Sequence, residues 1–274
     1  GFYIALYSGW YPRGDASVHL QSIRNILCSQ TIENPVYSMY NRPVIPDHAY
    51  DSYYYLLALL CQISGLKLSI VWHYLTPVLA LFLPFVIYSF VKSLTANRKL
   101  IIFSLLAFFT ISVFFNALQF GSVYDTLVYP NRIYLWFIFP ISLGLFYKYL
   151  RLSNFKYFLF SILLAFSMIF VHQSGYLFYL LSLGGFFVIA FLKRNQEYKK
   201  ALSAIFSLLI ISLPIIFIKL QYNKDYIDGA SQDIWQLKYQ FIMLSESLFM
   251  FPLFRHPFFE LVILSFFVCV VLFF

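Results

Sequence analysis

Apolar runs of roughly bilayer-crossing length recur along this chain, at about 69–91, 100–118, 133–150, 157–172, 175–192, 201–219 and 258–274. That recurrence leaves few folds open. A helix needs about 20 consecutive apolar residues to cross a hydrocarbon core of about 30 Å. Within lipid the backbone N–H and C=O groups must be satisfied inside the segment, so runs of this length predict helices. With 61% hydrophobic and only 11% charged residues, 34 Phe, 23 Tyr and a mean hydropathy of +0.77, the composition lies outside what a soluble core and surface would share. The expected fold is therefore all-α, a polytopic transmembrane helical protein forming one membrane domain over 1–274. The start on FYIALYSGWYPRGD and the stop within an apolar run lead us to expect a fragment of a longer protein. The first residues lack the basic, apolar and small-residue order of a signal peptide.

The net charge of +8 is not a nucleic-acid signature, because the cations fall into short connections between apolar runs. Lys92, Arg98 and Lys99 share one connection, Lys148, Arg151 and Lys156 a second, and Lys193, Arg194, Lys199 and Lys200 a third. The positive-inside rule makes these three connections cytoplasmic. Of the acids, Glu197 alone falls among them; Asp15, Glu33, Asp47, Asp51, Asp125, Asp225, Asp228, Asp233, Glu246 and Glu260 all fall on or near the opposite side. Polar chemistry is accordingly expected on the outer face. Cys28, Cys61 and Cys269 have no metal-ligand spacing and are expected as buried free thiols.

Residues 12–68 are expected to form an outer loop with two interfacial helices. The first, DASVHLQSIRNILCSQ, clusters Val18, Leu20, Ile23, Ile26 and Leu27 on one face, with Asp15 at its start, where an acid complements the helix dipole. The second, about 50–63, is dense in Tyr and Leu and too short to span comfortably. Six transmembrane helices are expected over 69–219, then an outer loop over 220–257 and a truncated transmembrane helix over 258–274.

Asp15 and His19 stand at i and i+4, so on a helix both project from one face. They read either as a carboxylate base tuned by an imidazole or as a helix cap beside a solvated interfacial histidine. In PDHAYDSYYY, Asp47, His48 and Asp51 fall within about one turn. Two acids that close repel unless they share a proton, a cation or sugar hydroxyls, and the alternative is a solvated cap at Asp47. Arg132 begins a span at the outer boundary, where a guanidinium either snorkels to headgroups or binds a lipid-linked phosphate bidentately. His172 and Gln173 mark a span end on the same side, while His73 and His256 read as interfacial. A Gly-rich phosphate loop and a nucleophile elbow are absent, which argues against an ATPase or an ordinary hydrolase.

GDASVHLQSIRNIL (14–27), DHAYDSYYYLLALLCQISGL (47–66) leading into VWHYLTPVLALFLPF (71–85), YPNRIYLWFIFP (129–140) and HQSG (172–175) together resemble the GT-C superfamily of membrane glycosyltransferases in its bacterial members. The resemblance implies transfer of a sugar from a polyprenyl-phosphate donor to a cell-envelope glycan, lipid or protein acceptor. The membrane would be the bacterial cytoplasmic membrane, with the active site facing outside. It implies that Asp15 is the first-loop catalytic acid that activates the acceptor hydroxyl, with His19 beside it. Arg132 and His172 are implied as outer-face contacts to phosphate and sugar, and Asp47, His48, Asp51 and Gln173 are the further candidate substrate contacts. Many relatives carry two adjacent acids where this chain has Asp15 followed by Ala16, so His19 or Asp47 would supply a missing ligand or hydrogen bond. A divalent cation, Mg or Mn, is the one candidate cofactor.

Competing readings are a transporter or flippase for lipid-linked saccharides, an O-antigen-type polymerase or ligase, and a non-catalytic membrane scaffold. A transporter calls for ionisable residues and broken helices at mid-span, whereas these runs are interrupted only by Pro77, Pro84, Pro140 and Pro214. A polymerase would use arginines of a long outer loop, and 221–257 contains only Arg255.

Overall fold

A computed structural model describes residues 16–29, 51–117, 127–171 and 173–230. All regular structure among the described residues is helical. The elements are α1 (Ala16–Ser29), α2 (Ser52–Ser64), α3 (Leu68–Leu94), α4 (Arg98–Ala117), α5 (Pro130–Ile133, a π-helical turn at Tyr134–Ile138, and Phe139–Leu152), α6 (Phe155–Val171), α7 (Gln173–Leu192) and α8 (Glu197–Ala230).

Among the described residues, four helices are long and apolar enough to cross a membrane: Leu68–Leu94, Tyr134–Leu152, Gly175–Leu192 and Glu197–Ile218. The run expected as a span at 157–172 is a shorter apolar helix, Phe155–Val171 of 17 residues. Residues 100–117 of the run expected at 100–118 are helical, within α4. At the other end α8 continues to Ala230, into the stretch expected as loop from 220. The expected span at 258–274 lies outside the described residues.

Local chemistry explains where the helices begin and end. Asp51 is the N-cap of α2, its Oδ1 accepting from the Tyr53 N–H at 2.9 Å. Gly65 ends the same helix with φ 65°, a left-handed conformation that a side chain would disfavour. On the basic side, Asn97 and Asn154 cap α4 and α6, accepting from the N–H groups of Lys99 and Lys156, and Asn195, two residues before α8, accepts from the Glu197 N–H. Lys200 Nζ closes the C-terminus of α5, donating to the Leu150 carbonyl and to Ser153 Oγ, both at 2.8 Å. A cation there satisfies an orphan carbonyl and complements the negative end of the helix.

The π turn in α5 has a sequence cause. Pro140 has no N–H to donate to the carbonyl four residues back, and its ring crowds that carbonyl. The ladder widens instead, with Phe139 N–H bonding to the Tyr134 carbonyl. The extra residue rotates Tyr129, Arg132 and Tyr134 relative to the span below them.

Helix α5 packs between α3 and α6, α7 pairs with α8, α6 lies against α7 and α8, and α1 rests on α2. Small residues let these helices approach closely. A Cβ added at Gly144 would lie 3.0 Å from Ser93 Oγ on α3. Ser142 on α5 and Ser161 on α6 exchange hydrogen bonds through each other's carbonyls, at 2.8 and 2.9 Å, and Tyr179 of α7 joins Ser161 Oγ at 2.6 Å. All three side chains are fully buried, so three helices share one satisfied polar knot. The outward surface is apolar, with Phe82, Phe85, Phe103, Phe160, Leu192 and Phe217 all exposed, as lipid contact requires.

Candidate functional site

Chain direction sorts the ends of the bundle. The basic residues lie in the 193–196 connection and on the helix ends that flank it and the 95–97 and 153–154 connections, and the Lys200 bond to α5 ties two of these connections together. The start of α3, the start of α5, the end of α6 and the start of α7 therefore share the opposite end. Helices α1 and α2 dock there, α2 against both α3 and α6.

His19 on α1 is the centre of this end. It is only 5% exposed, and a 2.6 Å hydrogen bond joins its Nδ1 to the Tyr54 hydroxyl of α2. Its ring lies nearly parallel to Trp72 of α3 (centroids 6.4 Å apart, planes at 24°) and is tilted against Tyr129 at 5.2 Å. Trp72 and Tyr129 also touch each other, with centroids 5.7 Å apart. The reading of His19 as a solvated interfacial histidine is thereby corrected: apolar Ile23 and Ile26 on the same helix face the core and carry the imidazole in with them. Phenol, indole and hydrogen bond hold the ring in one orientation.

Two charged candidates lie one turn from the residues that grip His19. Asp51 precedes Tyr54 on α2, and Arg132 follows Tyr129 at the start of α5, its N–H bonding to the Tyr129 carbonyl at 2.9 Å. Both are buried, Asp51 at 2% and Arg132 at 8% exposure. Arg132 is therefore not an exposed snorkelling anchor. His73, near the start of α3, is buried and edge-on to Tyr74 with centroids 4.8 Å apart. In the PDHAYD cluster the observed cap is Asp51, buried rather than solvated.

Two further contacts link this end to the α6–α7 junction. Ser52 Oγ donates to the Phe170 carbonyl at 3.5 Å, and Gly175 lies directly against the Tyr134 ring. Thus Asp51 and Arg132 belong to elements that touch the two sides of position 172. Asp15, Asp47, His48 and His172 lie outside the described residues. Gln173 begins α7, and its side chain is likewise outside them. Among the described residues no three of His, Cys, Asp and Glu come together as a cation site.

The residues that sequence reasoning missed are Tyr54, Trp72 and Tyr129. In a chain with 23 Tyr an aromatic near a span end carries no distinguishing signal. Cys61 is a buried free thiol, as expected, with burial pushing its pKa up; Cys28 departs from that expectation and is exposed on α1. Cys269 and His256 lie outside the described residues.

Tyr53, beside the cap, is buried, and among the described residues its hydroxyl has no hydrogen-bond partner. Burial first, and the Asp51 carboxylate second, push its pKa well above the usual tyrosine value. A folded-state value above the unfolded one, near 10, means a contribution to stability that is complete below that pH and lost as pH rises through the folded value. Tyr53→Phe removes a buried polar group that gains nothing. At neutral pH it is expected to match or exceed the parent by about 1 kcal/mol. Above about pH 10 it should lose less stability than the parent. Thermal unfolding in detergent at both pH values checks the sign, and a Phe variant clearly weaker at neutral pH would contradict it.

Comparison of this chain with family models, curated proteins and solved structures finds no match.

Proposed function

We propose that this chain is a membrane glycosyltransferase. It transfers a sugar from a polyprenyl-phosphate donor to a cell-envelope glycan, lipid or protein acceptor, at the face opposite the basic connections. The observation that carries the reading is the burial of His19, Asp51 and Arg132 at one end of the bundle, His19 touching Tyr54 and Tyr129, each one turn along the chain from Asp51 and Arg132 respectively. A polyprenyl donor keeps its chain in the bilayer and its phosphate at the interface, so the groups that act on it belong at such a junction.

In this reading Asp15, immediately before α1, takes the proton of the acceptor hydroxyl as its oxygen attacks the anomeric carbon. The bond from that carbon to the phosphate oxygen breaks, and the lipid phosphate leaves with the electron pair. His19, held by Tyr54 and the aromatic rings, lies one turn further along α1 and orients the same face of the helix. Arg132 supplies positive charge for the leaving phosphate, which needs cations rather than a strong acid. Asp47, His48, Asp51, His172 and Gln173 serve as sugar and phosphate contacts around them. The face is extracytoplasmic in a bacterial cytoplasmic membrane by the positive-inside assignment.

The experiment is a reconstitution in phospholipid vesicles with a panel of polyprenyl-phosphate sugars labelled in the sugar, scoring free polyprenyl phosphate against intact donor. Cleavage of the sugar–phosphate bond coupled to acceptor labelling is expected. Movement of intact lipid-linked sugar across the bilayer without cleavage would replace the enzyme by a flippase. We do not favour that second reading, because the described interior of the spans beyond the site end holds serines, a threonine and tyrosine rather than charged side chains.

A further inference from the structure

The basic end of the bundle bears a pattern that topology alone does not require. On α4, exposed Lys99 is followed one turn inward by exposed Ile102 and Phe103, at i+3 and i+4. On α6, exposed Lys156 is followed in the same register by exposed Leu159 and Phe160. On α3 the order runs the other way along the chain and the same way in space. Exposed Lys92 sits with its ammonium 5.4 Å above the Tyr88 ring, and Phe85, 68% exposed, lies a further turn inward. Residues three and four apart share one helix face, so each helix end presents a cation at the rim above an apolar column. A short connection, 95–97, joins α3 to α4, bringing Lys92, Arg98 and Lys99 to one hairpin. The sole acid in these connections, Glu197, is engaged by the Asn195 side chain.

We infer that this end binds anionic phospholipid of the adjoining leaflet, with phosphate against Lys92, Arg98 and Lys99 and acyl chains along Phe85, Ile102 and Phe103. The chemistry selects an amphiphile. A soluble polyanion would meet the cations and leave the apolar columns in water, whereas a zwitterionic lipid would cover the columns and bring no net charge to the cations. Lysine and arginine near an anionic membrane surface each add to the attraction, which decays within a Debye length. The inference concerns the end away from the proposed active site and stands whether or not that site transfers sugar.

The test uses the whole protein in mixed phosphatidylcholine and phosphatidylglycerol micelles, with native mass spectrometry counting each lipid retained. The parent is expected to keep phosphatidylglycerol preferentially and to lose that preference at high salt. The triple variant Lys92→Gln, Arg98→Gln, Lys99→Gln should lower the preference by roughly tenfold or more. The control Arg24→Gln, Lys67→Gln, which removes exposed cations from α1 and the α2–α3 connection, should leave it unchanged. Equal retention of the two lipids by the parent overturns the inference, as does a parental preference surviving in the triple variant. The salt dependence of the parent is decisive even if the triple variant fails to fold: a preference indifferent to salt rules out charge recognition.

Discussion

Asp15→Asn is expected to lower sugar transfer by about 10²- to 10⁴-fold, the range over which a positioned general base contributes to rate. An acceptor hydroxyl is a poor nucleophile until its proton is taken, and the amide of asparagine has no basicity to take it. The same amide still offers a carbonyl oxygen for capping, and asparagine ranks with aspartate at helix N-caps. Helix α1, which starts at Ala16, should therefore persist, and so should the docking of His19 between Tyr54, Trp72 and Tyr129. The measurement is release of polyprenyl phosphate by the reconstituted variant, set beside its thermal unfolding midpoint. Near-parental transfer would remove Asp15 from the reaction. A variant that is both inactive and unfolded would move Asp15 from chemistry to architecture.

Gly175→Ala should produce the largest loss of stability of any small substitution at the site end. The new Cβ would lie 2.4 Å from Tyr134 Cδ2 and 2.7 Å from Cγ, well inside contact distance. Cγ sits near the root of the side chain, so a flick of a flexible tip cannot relieve the clash. Tyr134 is itself fully buried within the π turn, so its ring has nowhere to retreat without moving the start of α5. Overpacking of this kind costs about 1–3 kcal/mol. Because Tyr129 and Arg132 belong to the same helix start, their placement against His19 should shift as well. Unfolding of Gly175→Ala, Tyr134→Leu and the double variant forms a cycle that isolates the contact. Recovery of most of the loss in the double variant is the expected result, and full additivity would show that the clash is absorbed elsewhere.

Sequence reasoning reached the elements far better than it reached the site. The first two helices, expected at 15–30 and about 50–63, occupy 16–29 and 52–64, because helix periodicity and capping are properties of neighbouring residues. Hydropathy and the lysine and arginine connections located the long helices for the same reason. Helix ends were less secure: α8 runs past its apolar portion to Ala230, into residues expected as loop. Hydropathy marks where a helix is greasy, whereas its ends depend on caps and on neighbours.

The candidate site shows the opposite balance. His19 was singled out for its spacing from Asp15, yet what holds it is Tyr54, 35 positions away, with Trp72 and Tyr129 further still. Asp51 was one of a cluster of acids, and its distinction as the buried cap of α2 emerged only from the folded chain. Ser142, Ser161 and Tyr179 sit in runs that look uniformly apolar. Their pairing depends on which faces of α5, α6 and α7 meet.

Composition and local pattern thus determined that this chain is helical, that several helices are long and apolar enough to cross a membrane, and that cations gather at one set of connections. These follow from backbone hydrogen bonding in lipid and from side chains acting within a turn or two of themselves. Only tertiary structure decided that an imidazole from α1 is enclosed by rings from α2, α3 and the 127–129 approach to α5. It also buried Asp51 and Arg132, each one turn along the chain from a residue that touches that ring. Contacts between distant residues are chosen by how helix faces pack, and a π turn or a glycine at a crossing changes that choice without altering any local pattern.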